Sequence, residues 1–176
     1  MRRERFYNAI SMKLVIAICA LTTLLAPAPA LAIREGEPAP AFSATLLDGR
    51  PFALEESRGK VVVINFWATW CAPCRAEMPA FDEYYRRHQS EGLEVVAISY
   101  DRPQDEAKAR EVMKAFAFPG ALARDASFKG YGRIWRLPLT FVIDRNGVLR
   151  KDDWYGDPGI DVAQLERIVT PLLNSH

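Results

Sequence analysis

The chain is poor in histidine and cysteine and has no surplus of charge. Two histidines, His88 and the terminal His176, and three cysteines occur in 176 residues. Tetrahedral zinc takes about four ligands. Cys71 and Cys74 supply two, and neither histidine stands in a second pair, so no metal site is expected and both histidines are assigned to solvent. Haem attachment requires a histidine directly after the second cysteine. Arg75 stands there, and no cofactor is expected. Lys and Arg total 23 against 22 Asp and Glu. Four of those cations and one acid, Glu4, lie in the first 32 residues, which leaves 19 against 21. A near-neutral remainder without a basic stripe excludes nucleic acid as an expected partner.

A membrane-length apolar run is also missing. Leu14 to Ala26 is apolar but shorter than the ~18 residues of a typical span, and Pro27 and Pro29 interrupt its continuation. A basic head (Arg2, Arg3, Arg5, Lys13) precedes it, and a small-x-small site, Ala30-Leu31-Ala32, follows. This order is that of an export signal. Residues 1–32 are therefore expected to be a signal peptide or, if uncut, a membrane anchor through residues 14–31. Cys19 is apolar filler in this segment, because the bulky Ile18 before it does not suit lipid attachment. Residues 33–176 are long enough for one core and one domain. The expected location is periplasmic or otherwise extracytoplasmic, soluble after cleavage or tethered to the inner membrane.

What the chain does have is Trp70-Cys71-Ala72-Pro73-Cys74. Before it runs Val61-Val62-Val63-Ile64-Asn65-Phe66-Trp67, β-branched and aromatic, which reads as a buried strand. After it, Pro73 to about Gln89 reads as a helix, with Asp82/Arg86 and Glu83/Arg87 paired at i,i+4 and a kink expected at Pro79. Residues 42–54 read as a hairpin turning at Asp48-Gly49. Leu93 to Tyr100 is a second buried strand, and Pro103 opens another helix. Ala121 to Tyr131 suggests a short strand and a short helix. Leu139 to Ile143 is a third buried strand, which turns at Arg145-Asn146-Gly147 into Val148 to Lys151. One helix is expected over 161–173. The class is α/β, a mixed central sheet with helices on both faces and an N-terminal β-hairpin extension.

A cysteine pair at a strand-to-helix junction can make and break one disulfide. A purely structural bridge would close a loop of a few residues and remove little unfolded-state entropy. A peroxidatic cysteine leaves Cys74 unexplained. Cys71 should sit at the helix N-terminus, where unpaired N–H groups and the helix dipole favour a thiolate. It can attack a substrate disulfide, and Cys74, held inward, resolves the mixed disulfide. Pro73 fixes the first turn.

The stretch from Phe66 to Pro79 resembles the TlpA-like thioredoxin family. The resemblance extends from about Gly36 to the C-terminus and includes Pro38 to Phe42, Asp48-Gly49-Arg50 and Leu137 to Asp144. It implies a thioredoxin-like fold and an exported or membrane-tethered thiol–disulfide oxidoreductase, in some members serving cytochrome c maturation. It also implies a cis proline at Pro138, with the Leu137 backbone pairing with substrate and Leu139 where many relatives are polar. Glu77 is then an acid that tunes the cysteines, and Asn65 stands where thioredoxin has a buried aspartate. Trp70 would line the substrate groove, and Trp67 would be packing. The implied partners are a disulfide-containing client protein and a membrane thiol donor for re-reduction. Ala72 and Pro73 carry no charge to stabilise a thiolate, so a reductant is expected. A dithiol oxidase or isomerase, a thiol peroxidase and a non-catalytic docking module are the alternatives.

Overall fold

The computed structural model describes residues 33–154 and 159–175. The expected leader, residues 1–32, lies outside them. The strands are β1 (Ser43–Leu46), β2 (Pro51–Ala53), β3 (Val61–Trp67), β4 (Leu93–Ser99), β5 (Gly120–Ser127), β6 (Leu139–Ile143) and β7 (Leu149–Trp154). The helices are α1 (Ala72–His88), α2 (Glu106–Met113), α3 (Val162–Ile168) and α4 (Thr170–Leu173). One seven-stranded mixed sheet has the order β2-β1-β5-β4-β3-β6-β7. β3 pairs in parallel with β4 and antiparallel with β6, and β4 pairs in parallel with β5. β3 is therefore central, which explains why all seven of its residues are buried.

Side-chain alternation along β3 divides the core in two. Val61, Val63 and Trp67 face a cluster that takes in Met78, Phe81 and Tyr84 of α1, Met113 of α2, and Leu165 and Leu173 of α3 and α4. Val62, Ile64 and Phe66 face the other cluster, with Phe42, Leu46, Leu54, Tyr131 and Phe141. The helices are shared unequally between the faces. The four α-helices among the described residues lie with the first cluster. The second takes in Phe42, side chains of β1, and the 3-10 turns at Leu54–Ser57 and Lys129–Tyr131. Gly130 and Gly132 flank Tyr131, and Gly132 takes a positive φ of 75°, so the turn cannot lengthen into an α-helix at low cost.

Two local expectations change. The single helix over 161–173 is two helices joined at Val169. Pro171 has no N–H to offer the carbonyl four residues back, which breaks the ladder there. Asp161 caps α3 with a full capping box to Gln164. His88 is not solvated: its side chain is 14% exposed, tilts against the Tyr84 ring and meets Glu91. The pairs Asp82–Arg86 and Glu83–Arg87 are present on the open face of α1, which continues through Pro79. Among the described residues, no helix is long and apolar enough to cross a membrane.

Candidate active site

The chain leaves β3 at Trp67 and reaches Cys71 through Ala68-Thr69-Trp70. Cys71 has extended backbone angles (φ −84°, ψ 97°) and is the N-cap of α1. Its Sγ accepts the backbone N–H of Cys74 at 3.3 Å, so one of the helix's unpaired donors points at sulfur. Pro73 occupies the first turn, where its missing N–H costs nothing. Cys71 and Cys74 are joined by a disulfide, with S–S 2.03 Å and Cα–Cα 5.3 Å. Cys71 is 5% exposed and Cys74 is fully buried. Both cysteines belong to the buried cluster, and only Cys71 keeps some exposure.

Glu77 lies one helical turn beyond Cys74, on the same inward face. It is 2% exposed. Its Oε1 accepts from Asn65 Nδ2 at 3.0 Å, and its Oε2 from the backbone N–H of Ile160 at 3.3 Å. Asn65 also donates to Thr140 Oγ1 at 3.0 Å. Burial raises the pKa of the carboxyl to about 7, and the bonds from Ile160 and Asn65 only partly offset that rise. A group with that proton affinity gives or takes a proton near neutral pH.

The Leu137–Pro138 peptide bond is cis. Phe66 pairs with Leu139, and Asn65 with Thr140, so Pro138 enters the sheet beside the end of β3 that leads to Cys71. Leu137 is partly buried against the cluster containing both cysteines. Trp70 is 67% exposed beside Cys71, whereas Trp67 is fully buried. The structure thus brings together Trp70, Cys71, Pro73, Cys74 and Glu77 at one end of α1, with Leu137 and Pro138 on the neighbouring strand entrance. Among the described residues, no group of His, Cys, Asp and Glu is arranged to hold a metal ion.

Sequence reasoning missed Asp101. Its carboxylate accepts the Thr69 N–H (2.9 Å to Oδ2), the Thr69 hydroxyl (2.6 Å to Oδ1) and the Ser99 hydroxyl (2.8 Å to Oδ2). It fixes the loop two residues ahead of Cys71. The only signal was an acid placed just past the end of a buried strand.

Residues 36–152 match the AhpC/TSA family. Thiol-disulfide oxidoreductase ResA of Geobacillus thermodenitrificans is 38% identical over 121 residues, covering 68% of this chain and 69% of that protein. Thioredoxin-like protein YneN of Bacillus subtilis is 35% identical over 124 residues, covering 67% and 70%. Among solved structures, a thiol:disulfide interchange protein of the thioredoxin family from Chlorobium tepidum superposes with a TM-score of 0.66 at 32% identity, covering 80% of this chain and 98% of that one. The thioredoxin domain of a thiol-disulfide oxidoreductase from Bacteroides vulgatus gives 0.64 at 26% identity, covering 81% and 99%.

Proposed function

The chain belongs to the AhpC/TSA family and is a thiol–disulfide oxidoreductase; from that premise we propose that it is exported and reduces protein disulfides through Cys71 and Cys74. The observation that carries this reading is the Cys71–Cys74 bridge at the cap of α1, with Cys71 slightly exposed and Cys74 fully buried. In the reduced protein, the Cys71 thiolate attacks a client disulfide. A bond forms between Cys71 and one client sulfur, and the other client sulfur leaves as a thiolate and takes a proton. Cys74 then loses its proton and attacks Cys71 Sγ, which releases the second client thiol. Two electrons and two protons pass to the client, and the protein is left oxidised. The Cys74 N–H, aimed at Cys71 Sγ, supports the attacking thiolate. Glu77 takes the proton from Cys74, a role suited to a buried carboxyl with a pKa of about 7. Trp70, Pro73, Leu137 and the cis Pro138 form the client contact, with the Leu137 backbone pairing with an extended client strand.

The reductant reading is supported by how little stands beside the sulfurs to stabilise a thiolate. A stabilised thiolate makes such a pair more oxidising, by ~30 mV for each pKa unit. Ala72 and Pro73 are uncharged, and a helix N-terminus contributes only ~0.3–1 kcal/mol at an exposed end. Arg75 projects into solvent. A reductant working in an oxidising compartment requires a membrane thiol donor to return it to the dithiol form. Residues 1–32 are the export signal or tether, and 33–176 the working domain. Cytochrome c maturation is the client setting that the family resemblance suggests.

Equilibration of the purified protein with glutathione tests the direction. A potential well below that of the strong oxidants, which lie near about −120 mV, is expected, and a value in their range overturns the reductase. Peroxide turnover that survives Cys74→Ser would favour a thiol peroxidase instead. Cys74→Ser expressed in cells should trap clients as mixed disulfides on Cys71 and identify them.

A further inference from the structure

The parallel strands β3 and β4 end level, with Trp67 opposite Ser99, and β5 runs on past Leu122, opposite Ser99, to Ser127; the chain leaves the three toward Cys71, Tyr100 and Phe128. That carboxyl edge is where open α/β sheets bind ligands. Two hollows lie beside these exits, joined by an aromatic contact, and together are called the trough. Its near end is a hollow of about 410 Å³ lined by Trp70, Tyr100, Arg102 and Asp105. Tyr100 meets Phe128 with ring centroids 6.3 Å apart, and both rings rest on Phe66, at 6.4 and 5.1 Å. Phe128 in turn lines a second hollow of about 440 Å³, which also holds Lys129, Gly132 and Arg133. The exposed indole of Trp70, next to Cys71, stands at the near end, and the Tyr100–Phe128 contact links the two hollows.

Its rims are cationic. Arg102, Lys129 and Arg133 are exposed, and among the described residues no carboxylate pairs with any of them. The acids at the near end are already engaged. Asp105 meets Lys108 at 2.7 Å, and Asp101 is held by Thr69 and Ser99. The domain from residue 33 carries two more acids than bases, so its net charge does not attract an anion. The attraction is local and acts within about a Debye length, ~8 Å at physiological salt.

We propose that this trough binds an extended, acidic segment of the client polypeptide, next to the cysteine under attack. Client carboxylates meet the guanidinium groups of Arg102 and Arg133 and the ammonium of Lys129, while apolar client atoms cover Trp70, Tyr100 and Phe128. The substrate class is therefore a disulfide protein with Asp or Glu flanking the reducible cysteine. This inference rests on the reductase reading above.

Two peptides test it, each closed into a ring by one disulfide and differing only in the residues beside one cysteine, Glu in one and Gln in the other. The full chain, fully reduced beforehand, is mixed with each, and ring opening is followed by chromatography in a single turnover. At about 0.02 M salt the Glu peptide should open roughly fivefold faster, with the ratio falling toward one near about 0.5 M. The R102E/K129E/R133E variant should invert the preference, and the milder K129Q/R133Q should narrow it. Equal rates for the two peptides at low salt, or an undiminished Glu preference in the charge-reversed protein, overturn the inference alone. Failure to open either ring refutes the reductase reading and the inference with it.

Discussion

Asp101 binds Thr69 twice, accepting its backbone N–H at 2.9 Å and its hydroxyl at 2.6 Å. The pair joins the end of β4 to the loop that delivers Cys71, and Ser99 steadies the same carboxylate. Asp101→Ala leaves the Thr69 N–H without its acceptor and frees the loop. Losing hydrogen bonds to a charged group costs about 1.5–3 kcal/mol. The denaturation midpoint of the oxidised protein should fall accordingly. The dithiol–disulfide potential should shift as well, because the helix cap is no longer held in one position relative to the sheet. Asp101→Asn, which keeps one acceptor oxygen, should recover part of both effects. Calorimetry and glutathione equilibration on the two variants measure this, and an unchanged potential in Asp101→Ala would remove Asp101 from the positioning of Cys71.

The central layer of the fold was legible because its signals are local. Six apolar residues in a run of seven, interrupted only by Asn65 and rich in β-branched and aromatic side chains, read as a strand buried on both faces, and β3 is that strand. The strand pattern before Cys71 and the helix pattern after Pro73 place both cysteines at a strand-to-helix junction. What the sequence hid depends on distant partners. The family resemblance singles out Glu77, but its burial under the Ile160 N–H, 83 residues away, and Asn65 is not written locally. Asp101 meets Thr69 across 32 residues. The joint at Val169 was legible in principle, since Pro171 stands inside the apolar pattern that suggested one helix. The pattern outweighed the proline, and the proline decided the structure.

Gly130 marks a close approach that composition does not reveal. A Cβ placed on it would lie 2.3 Å from Pro40 Cβ and 3.1 Å from Pro40 Cγ. The proline ring cannot rotate aside, and its carbonyl is tied by the Tyr131 hydroxyl at 3.0 Å. Gly130→Ala must push the N-terminal segment off the second core cluster. Overpacking of this kind costs about 1–3 kcal/mol. A lowered urea midpoint is expected, together with faster hydrogen exchange around Phe42 and Tyr131. An unshifted midpoint would mean that residues 38–41 dock loosely.

Glu77 makes the stability of the oxidised domain depend on pH. Its folded pKa, about 7, lies above the ordinary value of 4.5 because burial penalises the carboxylate. Between those two values the folded protein keeps a proton that the unfolded chain releases. The contribution of Glu77 is thus fully present below pH 4.5 and is lost as pH rises through 7. The rise of about two and a half pKa units corresponds to roughly 3 kcal/mol. Glu77→Gln cannot ionise and should remove this dependence. The stability difference between Glu77→Gln and the parent, measured by denaturant titration from pH 4 to pH 8, should grow in favour of the variant over that window. A constant difference would mean that water reaches the carboxylate. The variant should also slow the resolving attack by Cys74 most strongly near neutral pH, where Glu77 exchanges its proton.

Asn65 offers a sharper test of the same buried group. Its amide donates to Glu77 Oε1 and to Thr140 Oγ1, each at 3.0 Å. Asn65→Asp is nearly isosteric but replaces the donor with an acid facing Glu77. Two carboxyls at that separation, in a site closed to water, cannot both ionise cheaply, so they share one proton. The first proton of the pair should leave more easily than that of Glu77 alone in the parent, because its loss creates a carboxylate that accepts a hydrogen bond from the neighbouring acid. The second should be held to a pH above that at which Glu77 ionises in the parent. The fall in stability with rising pH, which in the parent ends near pH 7, should therefore continue into the alkaline range. Denaturant titrations of the variant from pH 5 to pH 9 follow the effect, and Asn65→Ser controls for the lost amide, since it removes the donor without adding a second acid. If the aspartate variant tracks the serine control above pH 7, the two carboxyls do not share a site, and the Glu77 proton is not held by the surroundings described here.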